Sequence, residues 1–432
     1  MKGLMIAAPQ SGSGKTVLTL ALLRALKDAG IAVAPAKAGP DFIDPAFHTA
    51  AAGITSINLD PWAMRGDLVS ALASHAGAGG RMLVVEAMMG LFDGALDGTG
   101  SAADLARQLG LPVILVIDAQ KLGHSVAALV RGFRDHRRDI VIAGVILNRT
   151  GSERHEALLR TALEPLNVDV LGAVRRSDAL VIPERHLGLV QASENAELET
   201  FIADAAALVA ESVDLKALTR IGSQMLSRAS AGGVPRLKPL GQRMAVAQDK
   251  AFAFSYPHLL EGWRRQGAEL SFFSPLAGEA PAADSDTIYL PGGYPELNAG
   301  EIAGNAAFRA AMTDHAAKGT TIYGECGGYM VLGEGITDAD GERHAMLGLL
   351  PVETSFRERR LHLGYRRLAP LSGAPYSTPL TAHEFHYATT VREGEGDRLF
   401  AVRDALGTDL GETGLRRGSV TGSFMHIIDR AD

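Results

Sequence analysis

The chain has 432 residues, 47% hydrophobic and 21% charged, an ordinary globular composition long enough for two or three domains. Its formal charge of -7 provides no polycationic surface, which argues against nucleic acid or an anionic membrane as the main partner. A single cysteine excludes an internal disulfide and a multi-cysteine metal cluster, so that thiol is either structural or used for its reactivity.

The first apolar stretch, residues 1–9, is too short for a signal peptide and runs straight into a glycine loop. It predicts a buried first strand. The later apolar runs are far below membrane-spanning length, and the expected location is the cytoplasm, where ATP and glutamine are found. Strands are predicted at 3–7, 31–36, 82–86, 112–118, 140–147 and 169–174. Helical patterns fill 17–29, 68–75, 101–108, 125–135, 153–166 and 197–213. Strand–helix alternation with apolar strands predicts an α/β domain with a mostly parallel sheet covered on both faces. Segment 227–241 is rich in Pro, Gly and Ser. It predicts domains at 1–228 and 242–432, with a linker at 229–241. A new strand pattern starts at 243, followed by runs at 287–290 and 320–323.

Gly12-Ser13-Gly14-Lys15-Thr16 follows the first strand and opens a helix. Such a turn lets backbone N–H groups face phosphate oxygens, and the helix adds its positive end. Lys15 can reach the β and γ oxygens of ATP, and Thr16 can offer its hydroxyl to Mg²⁺. The stretch departs from the standard loop, which wants glycine where Ala8 or Pro9 falls. Magnesium needs further oxygen ligands. Asp41 and Glu86 fall at the carboxyl ends of predicted strands, on the edge carrying the loop. Asp44 either contacts the metal or caps the turn before His48. Lys37 either approaches the transferring phosphoryl group or is solvated. Gly90 and Gly94 around Asp93 suggest a mobile loop over nucleotide or acceptor. Asn148 either reads an adenine edge or caps the next helix. Arg185 and His186, beside Glu184, either recognise a polyanionic substrate or lie on the surface.

Cys326 sits in Tyr323-Gly324-Glu325-Cys326-Gly327-Gly328-Tyr329, after a strand and before a helix-like run. That is the nucleophile-elbow arrangement, with a helix N-terminus to lower the thiol pKa. The alternative is a buried structural thiol. The cysteine needs a base, and His383, His386 and His426 are the candidates, because the pairing is spatial. Pro291-Gly292-Gly293 ends another strand, and the N–H groups of Gly292 and Gly293 could form an oxyanion hole. No histidine cluster has metal-ligand spacing along the chain.

The ordered set 12–16, 39–45, 86–94, 183–189, 291–296, 325–328 and 422–426 resembles the cobyrinic acid a,c-diamide synthases, a family that includes enzymes of the hydrogenobyrinic acid branch. The resemblance covers nearly the whole chain. It implies a dethiobiotin-synthetase-like ATP domain followed by a class I glutamine amidotransferase domain. It carries Lys15 and Thr16 onto phosphate and Mg²⁺, Asp41 and Glu86 onto metal and acceptor activation, Cys326 onto the glutaminase nucleophile and His426 onto its base. The usual glutamate two residues beyond that base has no counterpart, since position 428 is Ile428. His383 and His386 then become scaffold or orienting residues. The implied partners are ATP, L-glutamine and hydrogenobyrinic or cobyrinic acid, and a homodimer is compatible. The implied chemistry is ATP-dependent amidation of the a and c carboxylates through an acyl phosphate, in cobalamin biosynthesis. A sibling amidotransferase acting on cobyric acid or a nickel tetrapyrrole would share both halves. A partition-type ATPase would leave Cys326 unexplained.

Overall fold

The computed structural model describes residues 1–181, 184–185, 188–189, 197–224 and 233–431. Two compact units emerge: Met1–Trp62 with Gly66–Val234, and Ala63–Arg65 with Pro235–Asp432. The division at 234–235 falls inside the segment expected as a linker. The excursion Ala63–Arg65 has no signature in the sequence; within the second unit Arg65 Nε donates to Asp429 Oδ2 at 3.1 Å. Among the described residues, no helix is long and apolar enough to cross a membrane.

The first unit is built on seven strands: β1 (Lys2–Ala7), β2 (Val33–Ala38), β3 (Ile57–Leu59), β4 (Met82–Glu86), β5 (Val113–Asp118), β6 (Ile142–Thr150) and β7 (Val170–Arg175). Their order is β3-β2-β4-β1-β5-β6-β7, and every pairing is parallel. Strands β2 and β4 are buried throughout because helices cover the sheet. Helix α1 (Lys15–Asp28) buries Leu18, Leu20, Leu22, Leu23 and Leu26 in this core and packs on the helix Leu198–Ser212. The chain winds to one side of β1 through β2 and to the other through β5, which opens a crevice at the strands' carboxyl ends.

Two departures from the predicted elements matter for the site. The second strand runs to Ala38 rather than ending at 36, because it pairs with β4 in a register that sets Lys37 opposite Glu86. Helix α2 (Asp44–Ala52) was not predicted. Its start is fixed by Asp41, whose Oδ1 accepts from Ile43 N at 2.8 Å and Asp44 N at 3.1 Å, and by Pro45 in its first turn.

In the second unit, parallel strands Glu269–Phe273, Arg243–Ala247, Thr287–Leu290, Thr321–Glu325 and Val420–Ser423 lie in that order, with Leu415–Arg417 antiparallel at one edge. A five-stranded antiparallel sheet sets Leu380–His386 against Met425–Arg430, with His383 opposite His426. The core gathers Phe252, Phe308, Tyr329 and Val331 around the cysteine.

Candidate active sites

In the first unit the loop after β1 turns through Gly12 (φ 79°) and Gly14 (φ 83°), left-handed conformations that suit glycine. Gly14 is also closely approached, since a Cβ there would lie 2.3 Å from Asn148 Nδ2. That amide donates to Ser13 O at 2.9 Å, and Arg149 donates to Gly12 O at 2.8 Å and to Asp118 at 2.6 Å. Two loop carbonyls are thus tied back, while the first N–H groups of α1 have no intrahelical acceptor. Asn148 lies within β6 and braces the loop; the next helix is capped by Ser152 instead. Asn148 also lines a cleft of about 240 Å³ with Gly14, Val17, Arg149, Arg175 and Leu180, a size suited to a planar base.

Beside the loop, Lys37 Nζ is 2.5 Å from Asp44 Oδ2 and 3.0 Å from Glu86 Oε1, with Asp41 Oδ2 at 3.8 Å. Thr16 Oγ1 donates to Glu86 Oε1 at 2.7 Å and lies 3.5 Å from Asp44 Oδ2. His48 Nε2 is 2.6 Å from the other Glu86 oxygen. Burial opposes ionisation of Glu86, but the charge of Lys37 and the His48 hydrogen bond outweigh it and hold the carboxyl well below its usual range. Burial alone would deprotonate Lys37; Asp44, Glu86 and Asp41 together hold it charged. Burial and the neighbouring Asp41 charge push Asp44 up to about 6. Burial lowers Lys15, with Glu86 pulling the other way. Three carboxylates, Asp41, Asp44 and Glu86, face two ammonium groups, Lys15 and Lys37. The cluster is therefore one negative charge in excess when all are ionised, and its donors Thr16, Asp44 and Glu86 are all oxygen.

Among the expected site residues, Thr16 and Glu86 share a hydrogen bond, and Asp44 joins them. Asp41 stands one step back, with one oxygen capping α2. Asp93 is exposed and accepts from Gly90 N at 2.9 Å within its own turn. Arg185 lies in the short strand Glu184–Arg185, and His186 lies outside the described residues. Lys37 and His48 complete the cluster. The sequence signal for Lys37 was its place at the end of a strand; for His48 it was one helical turn beyond Asp44.

In the second unit Cys326 adopts φ 48° and ψ -105°, a conformation that L-residues rarely hold. The strain is fixed by close packing on both sides: a Cβ on Gly328 would lie 2.0 Å from Leu290 O. A Cβ on Gly292 would lie 2.4 Å from His426 Cε1 and 3.2 Å from Cys326 Cβ, so the glycine marks where thiol and imidazole converge. The next glycine amide, Gly293 N, would be 3.0 Å from a Cβ on Gly327, which places it beside the elbow. Gly292 O accepts from Phe254 N at 2.9 Å.

Burial pushes the Cys326 thiol far above its usual range, reinforced by Glu296, while the Gly327 N–H favours the thiolate. Burial, then His383 and His386, lower His426 to about 3, which favours the neutral imidazole. A hydrogen bond to the Phe385 backbone opposes that shift, and Cys326 Sγ lies 3.6 Å from the same residue's carbonyl oxygen. A main-chain group therefore stands beside His426 where a carboxylate at position 428 is missing. Glu325 is occupied elsewhere: its oxygens accept from Tyr289 Oη at 2.9 Å and Ile427 N at 3.3 Å, and burial raises it to about 8. His386 pairs with Glu384 at 3.2 Å and stacks on Phe424. Cross-strand pairing also brings His362, Glu384 and His386 within ligand distance of one another, a grouping hidden from linear spacing; Arg366 holds Glu384 at 2.7 Å.

Residues 4–190 match the family described as the CobQ/CobB/MinD/ParA nucleotide binding domain, and residues 243–432 match the CobB/CobQ-like glutamine amidotransferase domain. The chain is 63% identical to the hydrogenobyrinate a,c-diamide synthase of Brucella anthropi, with 99% of each chain covered. It is 61% identical to the protein of that name from Sinorhizobium sp, covering 100% of this chain and 99% of the relative. The Rhodobacter capsulatus protein of that name is 51% identical, over 99% of this chain and 98% of its own.

Replacing Lys37 with Met should leave Glu86 and Asp44 buried without their cation and destabilise the protein by about 3–5 kcal/mol. Urea denaturation of the intact chain measures this, and a loss below about 0.5 kcal/mol would contradict a structural role for the ammonium. Gly292→Ala should separate thiol and imidazole and lower glutaminase kcat/KM by about 100-fold or more. Ammonia release from glutamine at the parent rate would show that the two groups do not act together.

Proposed function

The chain belongs to the hydrogenobyrinate a,c-diamide synthase family, and we propose that it amidates the a and c carboxylates of hydrogenobyrinic acid using ATP and glutamine. The observation that carries this reading is the presence, on one chain, of two unlike centres: a phosphate loop beside a buried lysine–carboxylate cluster, and a strained cysteine converging with a histidine. Residues 1–228 are assigned the amide synthetase and 242–432 the glutaminase. Cobyrinic acid is the alternative acceptor, and the names of the relatives favour the cobalt-free acid.

In the glutaminase, Cys326 attacks the side-chain amide carbon of glutamine while His426 accepts the thiol proton. The neutral imidazole is the form that can do so. The N–H groups of Gly293 and Gly327 meet the oxyanion of the tetrahedral intermediate. His426 returns the proton to the departing nitrogen. Ammonia leaves, and water hydrolyses the thioester to glutamate.

In the synthetase, an oxygen of the acceptor carboxylate attacks the terminal phosphorus of ATP and ADP departs. Activation is required because a carboxylate is a poor electrophile. The α1 N-terminus and Lys15 neutralise phosphate charge, and Lys37 holds the carboxylates of Glu86 and Asp44 in place. The all-oxygen set of Thr16, Glu86 and Asp44, with Asp41 behind it, fits Mg²⁺, which would supply Lewis-acid neutralisation of the phosphates. Ammonia then attacks the acyl carbon, phosphate leaves and the amide remains. A second cycle converts the second carboxylate. Asp93, Arg185 and His186 are proposed acceptor contacts, and the cytoplasm is the proposed location.

Cys326→Ala separates the two centres. It should reduce glutamine-supported amidation by at least about 1000-fold while ammonia-supported amidation continues, as measured by product mass with each nitrogen source. Equal loss with both sources in a folded variant would contradict two separable centres.

A further inference from the structure

Three carboxylates act electrostatically on Cys326: Glu296, Glu325 and Glu384. Two have side-chain partners. Glu325 is bonded to Tyr289, and Glu384 is held by Arg366 and His386. Glu296 is different. It is only 9% exposed, yet among the described residues no side chain forms a hydrogen bond or ion pair with its carboxylate. Its carboxylate bonds to its own backbone, and burial pushes it up to about 7. A buried carboxylate without a cation is costly, and such a group is retained where a ligand completes it.

The position of Glu296 is set by the same segment that shapes the elbow. Pro295 packs against Gly327, where a Cβ would lie 2.9 Å from Pro295 Cδ, and Glu296 follows in the turn Pro295–Asn298. Its charge opposes thiolate formation more strongly than either of the other two carboxylates. Arg359, exposed, is the cation whose charge reaches Glu296, but no ion pair joins the two. A buried anion therefore stands near the nucleophile with no cation paired to it among the described residues. Glutamine carries the complementary charge, an α-ammonium on the carbon three bonds from its side-chain amide carbon.

We propose that Glu296 receives the α-ammonium of glutamine, so that it selects the amino-acid end of the substrate while Cys326 meets the amide. Glu296 is on this account a specificity-determining residue, and the assignment rests on the glutaminase reading above. It gives the buried carboxylate its missing cation only when glutamine is bound.

The test compares glutamine with 4-carbamoylbutanoate, which has the same amide and lacks the α-ammonium. Ammonia release is followed in the full-length chain. The parent protein should prefer glutamine by about 10- to 100-fold in kcat/KM, the range expected for one charge-assisted hydrogen bond. Glu296→Gln, which keeps the shape and removes the charge, should lose most of that preference because glutamine turnover falls towards that of the analogue. Glu296→Asp should keep part of it. An active Glu296→Gln protein with the parent's preference would overturn the assignment, as would a parent protein that uses both compounds equally, a result that does not depend on any variant folding. A parent protein that releases no ammonia from glutamine at all would remove the glutaminase reading itself.

Discussion

A lysine buried between carboxylates organises the first unit. Lys37 is 3% exposed, and an ammonium so placed is tolerated only because Asp44 and Glu86 lie within hydrogen-bonding distance. That requirement fixes more than one pair. It sets the register of β2 on β4, and it anchors the first residue of α2. It also holds the Glu86 carboxylate ionised where the Thr16 hydroxyl can meet it. His48 closes the far side of Glu86. The result is a rigid, charged floor beside a loop whose carbonyls Asn148 and Arg149 have pulled away.

The two centres apply one structural idea to opposite chemical ends. Each lies after a parallel strand, at a tight turn leading into a helix. In the first unit the helix N-terminus and Lys15 favour phosphate. In the second, burial and nearby carboxylates disfavour the thiolate, despite the helix that follows. In the proposed reaction, proton transfer to His426 therefore accompanies attack on the amide rather than preceding it. Burial beside His383 and His386 favours the neutral form of that histidine, the form able to accept a proton.

Features carried by contiguous residues were legible in the sequence. Gly12–Thr16 and the glycines around Cys326 announce their turns, because backbone conformation and reactive side chain lie within one short segment. The apolar runs marked β1, β4 and β5 to within a residue at either end. Features made by lateral pairing were not. Lys37 meets Glu86 through strand register, and His383 stands opposite His426 only after an antiparallel sheet has formed. Helix α2 escaped because its start depends on the Asp41 turn, while its Ala-rich length carries little periodicity. Asn148 was noticed for its amide, but its hydrogen bond to the loop carbonyl needs the fold. Glu296 closes the 291–296 motif, but its burial without a partner among the described residues is a property of the packed elbow.

The central claim is that the acceptor carboxylate is activated by phosphorylation before ammonia arrives. Isotope transfer tests it most directly. Hydrogenobyrinic acid labelled with ¹⁸O in its side-chain carboxylates is incubated with ATP, Mg²⁺ and glutamine, and the released phosphate is examined by mass spectrometry. The account predicts one ¹⁸O atom delivered to phosphate for each amide formed. Amide formation with no label in the phosphate would contradict it.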